Sequence, residues 1–213
     1  MRDLRYNFYI LNLFTHEMID LPDVDRKSSD GVNIRSPVLW IDEKTKDYVV
    51  SWGFARSCVV YSKKGDNLWK QIPKTSHCID LVYKDHKLYF LSYSGRVKIF
   101  DFSGEIPRET FECSVILSGM ELPRRCRRLP NSWCVSETKL VVTVTGDILK
   151  VEKWFRPRSG IWSFRLYKFY SSGFYKKPEQ LDSLGDEAML FDKRHPCACQ
   201  WLGGSREKCH LFH

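Results

Sequence analysis

The stretch CIDLVYKDHKLYFLSYSGRVKIFDFSGEIP, residues 78–107, decides the fold. Ile79, Leu81 and Tyr83 alternate with polar or smaller neighbours, and Lys84, Asp85 and His86 then turn the chain. Leu88, Phe90 and Leu91 carry a second run, Ser94 and Gly95 make the next turn, and Val97, Ile99, Phe100 and Phe102 carry a third. Alternation of this kind puts one face of each strand into a core and leaves the other outside. Gly95 supplies the positive φ that a tight hairpin turn needs. Three such runs joined by short polar turns predict an antiparallel meander.

The plan recurs on both sides. Upstream, VLWIDEKTKDYVVSWGFARSCVVYSKKGDNLWKQIP, residues 38–73, has runs at 38–41, 47–53 and 57–61. Both units close on Ile-Pro, at Ile72-Pro73 and Ile106-Pro107. Downstream, WCVSETKLVVTVTGDILKVEKWF, residues 133–155, repeats the plan, with turns expected at Glu137-Thr138 and Gly146-Asp147. Aligned on the middle strand, the units start near Asp47, Lys87 and Lys139, and a fourth start falls near Glu187. A period of roughly 40 to 50 residues is the size of a four-stranded propeller blade. A lone meander leaves an apolar face and two edges uncovered, so such units stack on copies of themselves. The expected fold is all-β: an incomplete, kelch-like β-propeller of about three to four meander blades over residues 1–192. A sandwich of evenly spaced strands is the competing architecture.

Around these units, residues 6–22 read as strand, turn and strand, and residues 23–36 as a polar loop or a broken strand. Residues 110–117 supply a fourth strand to the second unit, and Trp162, Phe164, Leu166 and Tyr167 a later strand with an aromatic face. The chain's 213 residues are 43% hydrophobic, enough for a sizeable core, and its 14% aromatic content suits broad β-faces. No run reaches the eighteen or so apolar residues of a membrane span, so no membrane partner is expected. Asn7 and Asn12 interrupt the apolar start, which reads as a strand rather than a signal peptide. Cys58, Cys78, Cys113, Cys126 and Cys134 sit in or beside predicted strands without paired spacing. They are expected as reduced thiols of an intracellular protein, in cytoplasm or nucleus, several of them serving as small core hydrophobes.

Candidate chemistry is sparse. The formal net charge is +8, and Arg124, Arg125, Arg127 and Arg128 concentrate part of it in a loop at residues 118–131. That run suits an acidic partner, nucleic acid or an import receptor, or is a solvated loop. No aromatics interleave with it, which argues against nucleic acid. The tail, residues 193–213, is rich in cysteine and histidine. Cys197, Cys199, Cys209, His210 and His213 are zinc-type ligands, but their spacing matches no standard finger. The tail is expected to be divergent and disordered, and no metal or cofactor is assigned.

Catalysis finds little support. Asp42-Glu43 and Asp186-Glu187 are adjacent pairs, which point to opposite faces of a strand, and His77 and His86 are isolated turn residues. No Gly-rich phosphate loop or nucleophile elbow is present. The chain is expected to be a protein-interaction module and not an enzyme. An enzyme using a propeller channel, or zinc binding through the tail, is the alternative. Contact candidates are Trp69, Arg124, Arg125, Arg127, Arg128, Trp154 and Trp162, because these residue types dominate interface hot spots. The tryptophans suit core packing equally well.

LNLFTHEMIDLP, residues 11–22, resembles the N-P-x-T-x-E-x-x-x-L-P opening of plant F-box-associated propeller domains, with Leu13 in place of proline. WKQIPKTSHCIDLVYKDHKLYFLSYSGRVKIFDFSGEIP, residues 69–107, and SLGDEAMLFD, residues 183–192, are similar to the same family. The resemblance implies the substrate-binding propeller of an F-box protein, the receptor subunit of an SCF ubiquitin ligase. Relatives carry an F-box of roughly forty residues that docks a Skp-type adaptor. None is read here, so a protein target is expected and the adaptor is not.

Overall fold

A computed structural model of the protein describes residues 5–25, 34–54, 58–114, 133–170, 178–183, 187–191 and 196–200. All regular elements among the described residues are β-strands. The chain forms two compact units, Met1–Glu112 and Cys113–His213.

In the first unit, β1 (Arg5–Tyr6) pairs with β4 (Val24–Asp25), and β2 (Tyr9–Leu11) pairs with β3 (Met18–Asp20). A four-stranded antiparallel meander follows: β5 (Ile34–Ile41), β6 (Tyr48–Phe54), β7 (Cys58–Lys63) and β8 (Lys70–Ile72). The next sheet takes β9 (Cys78–Lys84), β10 (Lys87–Ser92), β11 (Arg96–Asp101) and β12 (Arg108–Ser114) in the same simple order. The second unit holds a third four-stranded sheet, β13 (Cys134–Val142), β14 (Ile148–Arg156), β15 (Ile161–Phe169) and β16 (Glu179–Leu181). Its hairpin of β17 (Glu187–Phe191) and β18 (Pro196–Gln200) comes last. The architecture is that of a β-propeller built from meander blades.

The packing of the first unit follows from the period-two alternation of β6. Tyr48, Val50 and Trp52 face one way, into a cluster with Ile10, Leu21 and Val24 of the N-terminal hairpin. Val49 faces the other way and joins Val59, Tyr61 and Ile72 against Cys78, Leu81, Leu88, Phe90, Phe100 and Phe102 of the next sheet. The β5–β8 sheet is therefore covered on both faces. Ser51, wholly buried, is tolerated because its hydroxyl donates to the Val60 carbonyl at 2.8 Å.

Two features set how closely these blades approach. A β-bulge recurs near the start of each blade's first strand, where Ser36-Pro37, Ile79 and Ser136 fall outside the ladder. Ser36 adopts φ 45°, and its hydroxyl donates to the Ile79 carbonyl at 3.1 Å, joining one bulge to the next. At Gly53 the contact is closer still. A Cβ there would sit 2.6 Å from Cys78 Cβ and 2.9 Å from its Sγ.

The turns after β2 and β5 are built alike. Asn12 Oδ1 accepts from the amides of Phe14 and Thr15, and Asp42 Oδ1 from those of Lys44 and Thr45, at 2.8–3.2 Å. His16 and Lys46 take the same left-handed position, at φ 59° and 56°. The turn expected over Lys84, Asp85 and His86 is shorter: Lys84 ends β9 and pairs with Lys87, and Asp85 and His86, both at positive φ, form a two-residue turn.

The β13–β16 sheet departs from the sequence reading. Glu137 and Thr138 are not a turn; they pair with Lys153 and Glu152 inside the continuous strand β13. The second strands begin at Tyr48, Lys87 and Ile148, so Lys139 belongs to a first strand. The misreading has a physical cause: β13 is an edge strand whose polar residues lie on accessible faces, so polarity there does not mark a turn. Strand β18 lies beyond Asp192, where the composition changes. Among the described cysteines, Cys58, Cys78 and Cys113 are buried thiols outside any disulfide, whereas Cys134 is disulfide-bonded, which corrects the expectation of a reduced thiol there.

Gly53→Ala is expected to destabilise the protein by about 1–3 kcal/mol in urea denaturation, since the added methyl overlaps Cys78. Gly104→Ala, whose new methyl meets the Ile106 carbonyl oxygen at an ordinary 3.9 Å, stays within about 0.5 kcal/mol. Tyr83 gives a second test. Burial pushes its phenol up to about 12, and its hydroxyl finds no partner among the described residues. The unfolded chain gives up this proton first, so stability is intact below about pH 10 and falls towards pH 12. Tyr83→Phe should make that fall shallower and cost under about 1 kcal/mol at neutral pH.

Candidate functional site

The first unit carries a cleft where the loop after β8 meets the turn between β10 and β11. The loop is held at two points. Thr75, buried, donates its hydroxyl to the Ile72 carbonyl at 2.6 Å and accepts from the Val59 amide at 3.0 Å. The Tyr93 amide donates to the His77 carbonyl at 2.8 Å. At these anchors Lys74, which precedes Thr75, and His77 itself sit at φ 57° and 55°, conformations that non-glycine residues adopt at some cost, and both line the cleft.

The opposite wall comes from β11. Leu88 and Phe90 on β10 and Phe100 on β11 belong to the interblade core. Lys98 stands directly across from Phe90 in the ladder, and Arg96 follows two residues away on the same face. The apolar face therefore ends in cations. Lys98, 4% exposed, pairs with Glu109 at 3.0 Å and Glu112 at 3.5 Å, which offsets the cost of burying its charge. Arg96 is half-exposed, with a longer contact to Glu112 at 3.7 Å. The cavity is about 360 Å³.

A second polar arrangement lies on the third sheet. Lys150 and Glu152, both buried, pair at 2.7 Å, and the Trp154 indole donates to the other Glu152 oxygen at 3.0 Å. Lys150 lies over the Tyr167 ring and Arg165 over Trp154, at 4.3 and 4.2 Å from the centroids. On the other face Lys153 lies over Trp162 at 4.4 Å, and Trp162 packs on Phe155. The apolar half of that face is Val141, Leu149 and Val151 with Phe164, Leu166 and Leu181.

The candidate residues are thus dispersed. Trp69 is half-buried against Trp52 and donates its indole proton to the Pro22 carbonyl at 2.7 Å, tying β8 to the N-terminal hairpin. Trp154 is half-buried in the charge network, while Trp162 is exposed. Arg124, Arg125, Arg127 and Arg128 lie outside the described residues, as do Cys209, His210 and His213 of the tail. Among the described residues no group of three potential metal ligands converges. Asp42 is a turn cap, held below the usual carboxylate range first by the Thr45 amide and then by the Lys44 amide. Burial pushes the Cys58 and Cys113 thiols up, towards the inert, protonated form.

Lys74, Arg96 and Lys98 were not among the candidates, and His77 was set aside as an isolated turn residue. The signal for two of them is in the sequence: Arg96 and Lys98 occupy the same parity as Phe100 and Phe102, so the core-facing side of β11 begins with two charges.

Meander sheets stacked face to face, with a polar cleft at the blade margin, define a β-propeller domain. The chain belongs to the KIB1-4 beta-propeller family, whose profile matches residues 1–203. At4g22660 of Arabidopsis thaliana, named as an F-box protein, is 50% identical over 221 residues, covering 90% of this chain and 56% of that one. The F-box/kelch-repeat protein KIB1 of the same plant is 36% identical over 199 residues, covering 90% of this chain and 47% of its own length. The chain thus spans about half the length of these relatives. The N-terminal domain of Nup159 shares the fold at a TM-score of 0.53 and 10% identity, over 88% of this chain and 50% of that structure.

Glu152→Ala should cost about 3–5 kcal/mol in chemical denaturation, because it strands the buried Lys150 ammonium. Lys153→Ala, which removes a cation from an exposed ring, should cost under about 1 kcal/mol. Equal effects would show that the two networks do not differ as their burial implies.

Proposed function

We propose that this chain is a protein-interaction module: the target-holding propeller of an F-box-type substrate receptor that works without catalysis, inside the cell in cytoplasm or nucleus. The observation that carries this reading is the family match over residues 1–203, with relatives named as F-box proteins. The structure is compatible with it. Among the described residues Asp42 caps a turn, and Glu109 and Glu152 are paired with lysines. Trp69, Trp154 and Trp162, with Arg124, Arg125, Arg127 and Arg128, remain the proposed contacts. In this role the chain holds a target, while an F-box of the kind its relatives are named for would dock the Skp-type adaptor of a cullin ubiquitin ligase.

The test is capture followed by titration with purified components. The tagged chain should retain specific plant proteins that an unrelated propeller does not, and at least one should bind the purified chain with a Kd of about micromolar or tighter. A purified Skp-type adaptor should not bind. Retention of no specific protein, or turnover of a small molecule by the purified chain, would overturn the reading.

A further inference from the structure

We propose that the cleft between the β8–β9 loop and the β10–β11 turn binds an anionic side chain, carboxylate or phosphate, on a segment of the protein partner. The inference rests on the interaction-module reading and names the chemistry of the partner. The lining carries it. Lys74, Arg96 and Lys98 contribute three cations and His77 an imidazole, and none of the lining residues is a carboxylate. Of the other five, Ser76, Tyr93 and Ser94 are exposed and carry hydroxyls able to donate to an anion, while the buried Ser92 hydroxyl accepts from the Arg96 amide at 2.9 Å and lies 2.9 Å from that of Ser94. Phe90 forms the apolar floor.

The charges are arranged for an incoming ligand. Lys98 is already neutralised by Glu109 and Glu112, so its role is to hold the wall. Lys74 is exposed on the anchored loop, and Arg96 is held only by a long contact at the rim. These two are the groups left to meet an anion, and an ionised partner makes hydrogen bonds about twice as strong as a neutral one. The loop that presents Lys74 is fixed by Thr75 beneath and by the Tyr93 amide at its end, so binding orders little that is mobile. A cavity of about 360 Å³ suits one side chain and its flanking backbone rather than a large cofactor. The net charge of +8 draws acidic segments towards the surface.

The experiment uses the full chain and fluorescent Gly/Ser peptides carrying glutamates, a single phosphoserine, or glutamines at the same positions. Acidic or phosphorylated peptide should bind, the glutamine peptide should not, and Lys74→Ala with Arg96→Ala should weaken binding at least about tenfold. The thermal midpoint of that variant should be unchanged, since both residues are exposed. Whether glutamate or phosphoserine binds more tightly identifies the source of the anion. Equal binding of charged and neutral peptides, or no effect of the double substitution, overturns the inference. So does binding of inorganic phosphate or a single-stranded oligonucleotide in place of the peptides. The double variant is also run in the target-capture experiment. If targets are retained equally by both forms, the interaction reading stands and the cleft falls. If neither form retains any, the interaction reading itself has failed.

Discussion

The first unit depends on one constraint: β6 is buried on both faces. A strand in that position has no solvent side on which to place charge or excess volume, so its seven residues serve two cores at once. Tyr48, Val50 and Trp52 fill the gap to the N-terminal hairpin, and Val49 fills the gap to the next blade. Ser51 and Gly53 share the second face because the approach there leaves room for little else. The close contact at Gly53 and the bulge at Ser36 both serve this packing. One removes volume where backbones converge, and the other bends the first strand so that its hydroxyl reaches Ile79.

Charge enters this interior only with partners. The Lys63 ammonium reaches the carbonyls of Phe102, Gly104 and Glu105 at 3.3, 2.6 and 3.3 Å, and so pins β7 to the turn after β11. Burial lowers its pKa despite the nearby Asp66 carboxylate. Lys98 and Lys150 are deeper and hold carboxylates directly. Such pairs add little net stability over apolar residues of similar size. Lys150 and Glu152 share β14, whereas the Lys98 pairs cross from β11 to β12 and so depend on the register of those two strands. The Lys98 pairs therefore act as a lock on the arrangement rather than as its source.

Much of this was legible. The alternation of residues 78–107 set out three strands of the second blade, and the paired Ile-Pro endings marked the repeat. Phe100 and Phe102 on the parity of Arg96 and Lys98 also announced a face that changes from apolar to cationic, a sign that reading for strands alone passes over. The third blade was harder. Glu137, Thr138 and Lys139 look like a turn because edge strands carry polar residues on their open faces, and only the ladder to β14 shows that they continue. The likeness of the Asn12 and Asp42 turns was present as N-x-x-T-x-E and D-x-x-T-x-D, a shared pattern of cap and hydroxyl rather than of apolar residues. Trp69 could be read as packing or contact from its type. Its hydrogen bond to Pro22 depends on the fold of a segment nearly fifty residues away.

Those two turns have a meaning apart from stability. The cap, the threonine and the left-handed residue define the backbone, and the two positions after the cap only ride on it. In the first turn they are Leu13 and Phe14, 75% and 96% exposed; in the second they are Glu43 and Lys44, exposed as well. The same scaffold thus displays a greasy tip on one blade and a charged tip on the next, and its geometry is indifferent to the choice. Mutation can explore these positions freely, with selection acting on what the tip touches and not on whether the chain folds.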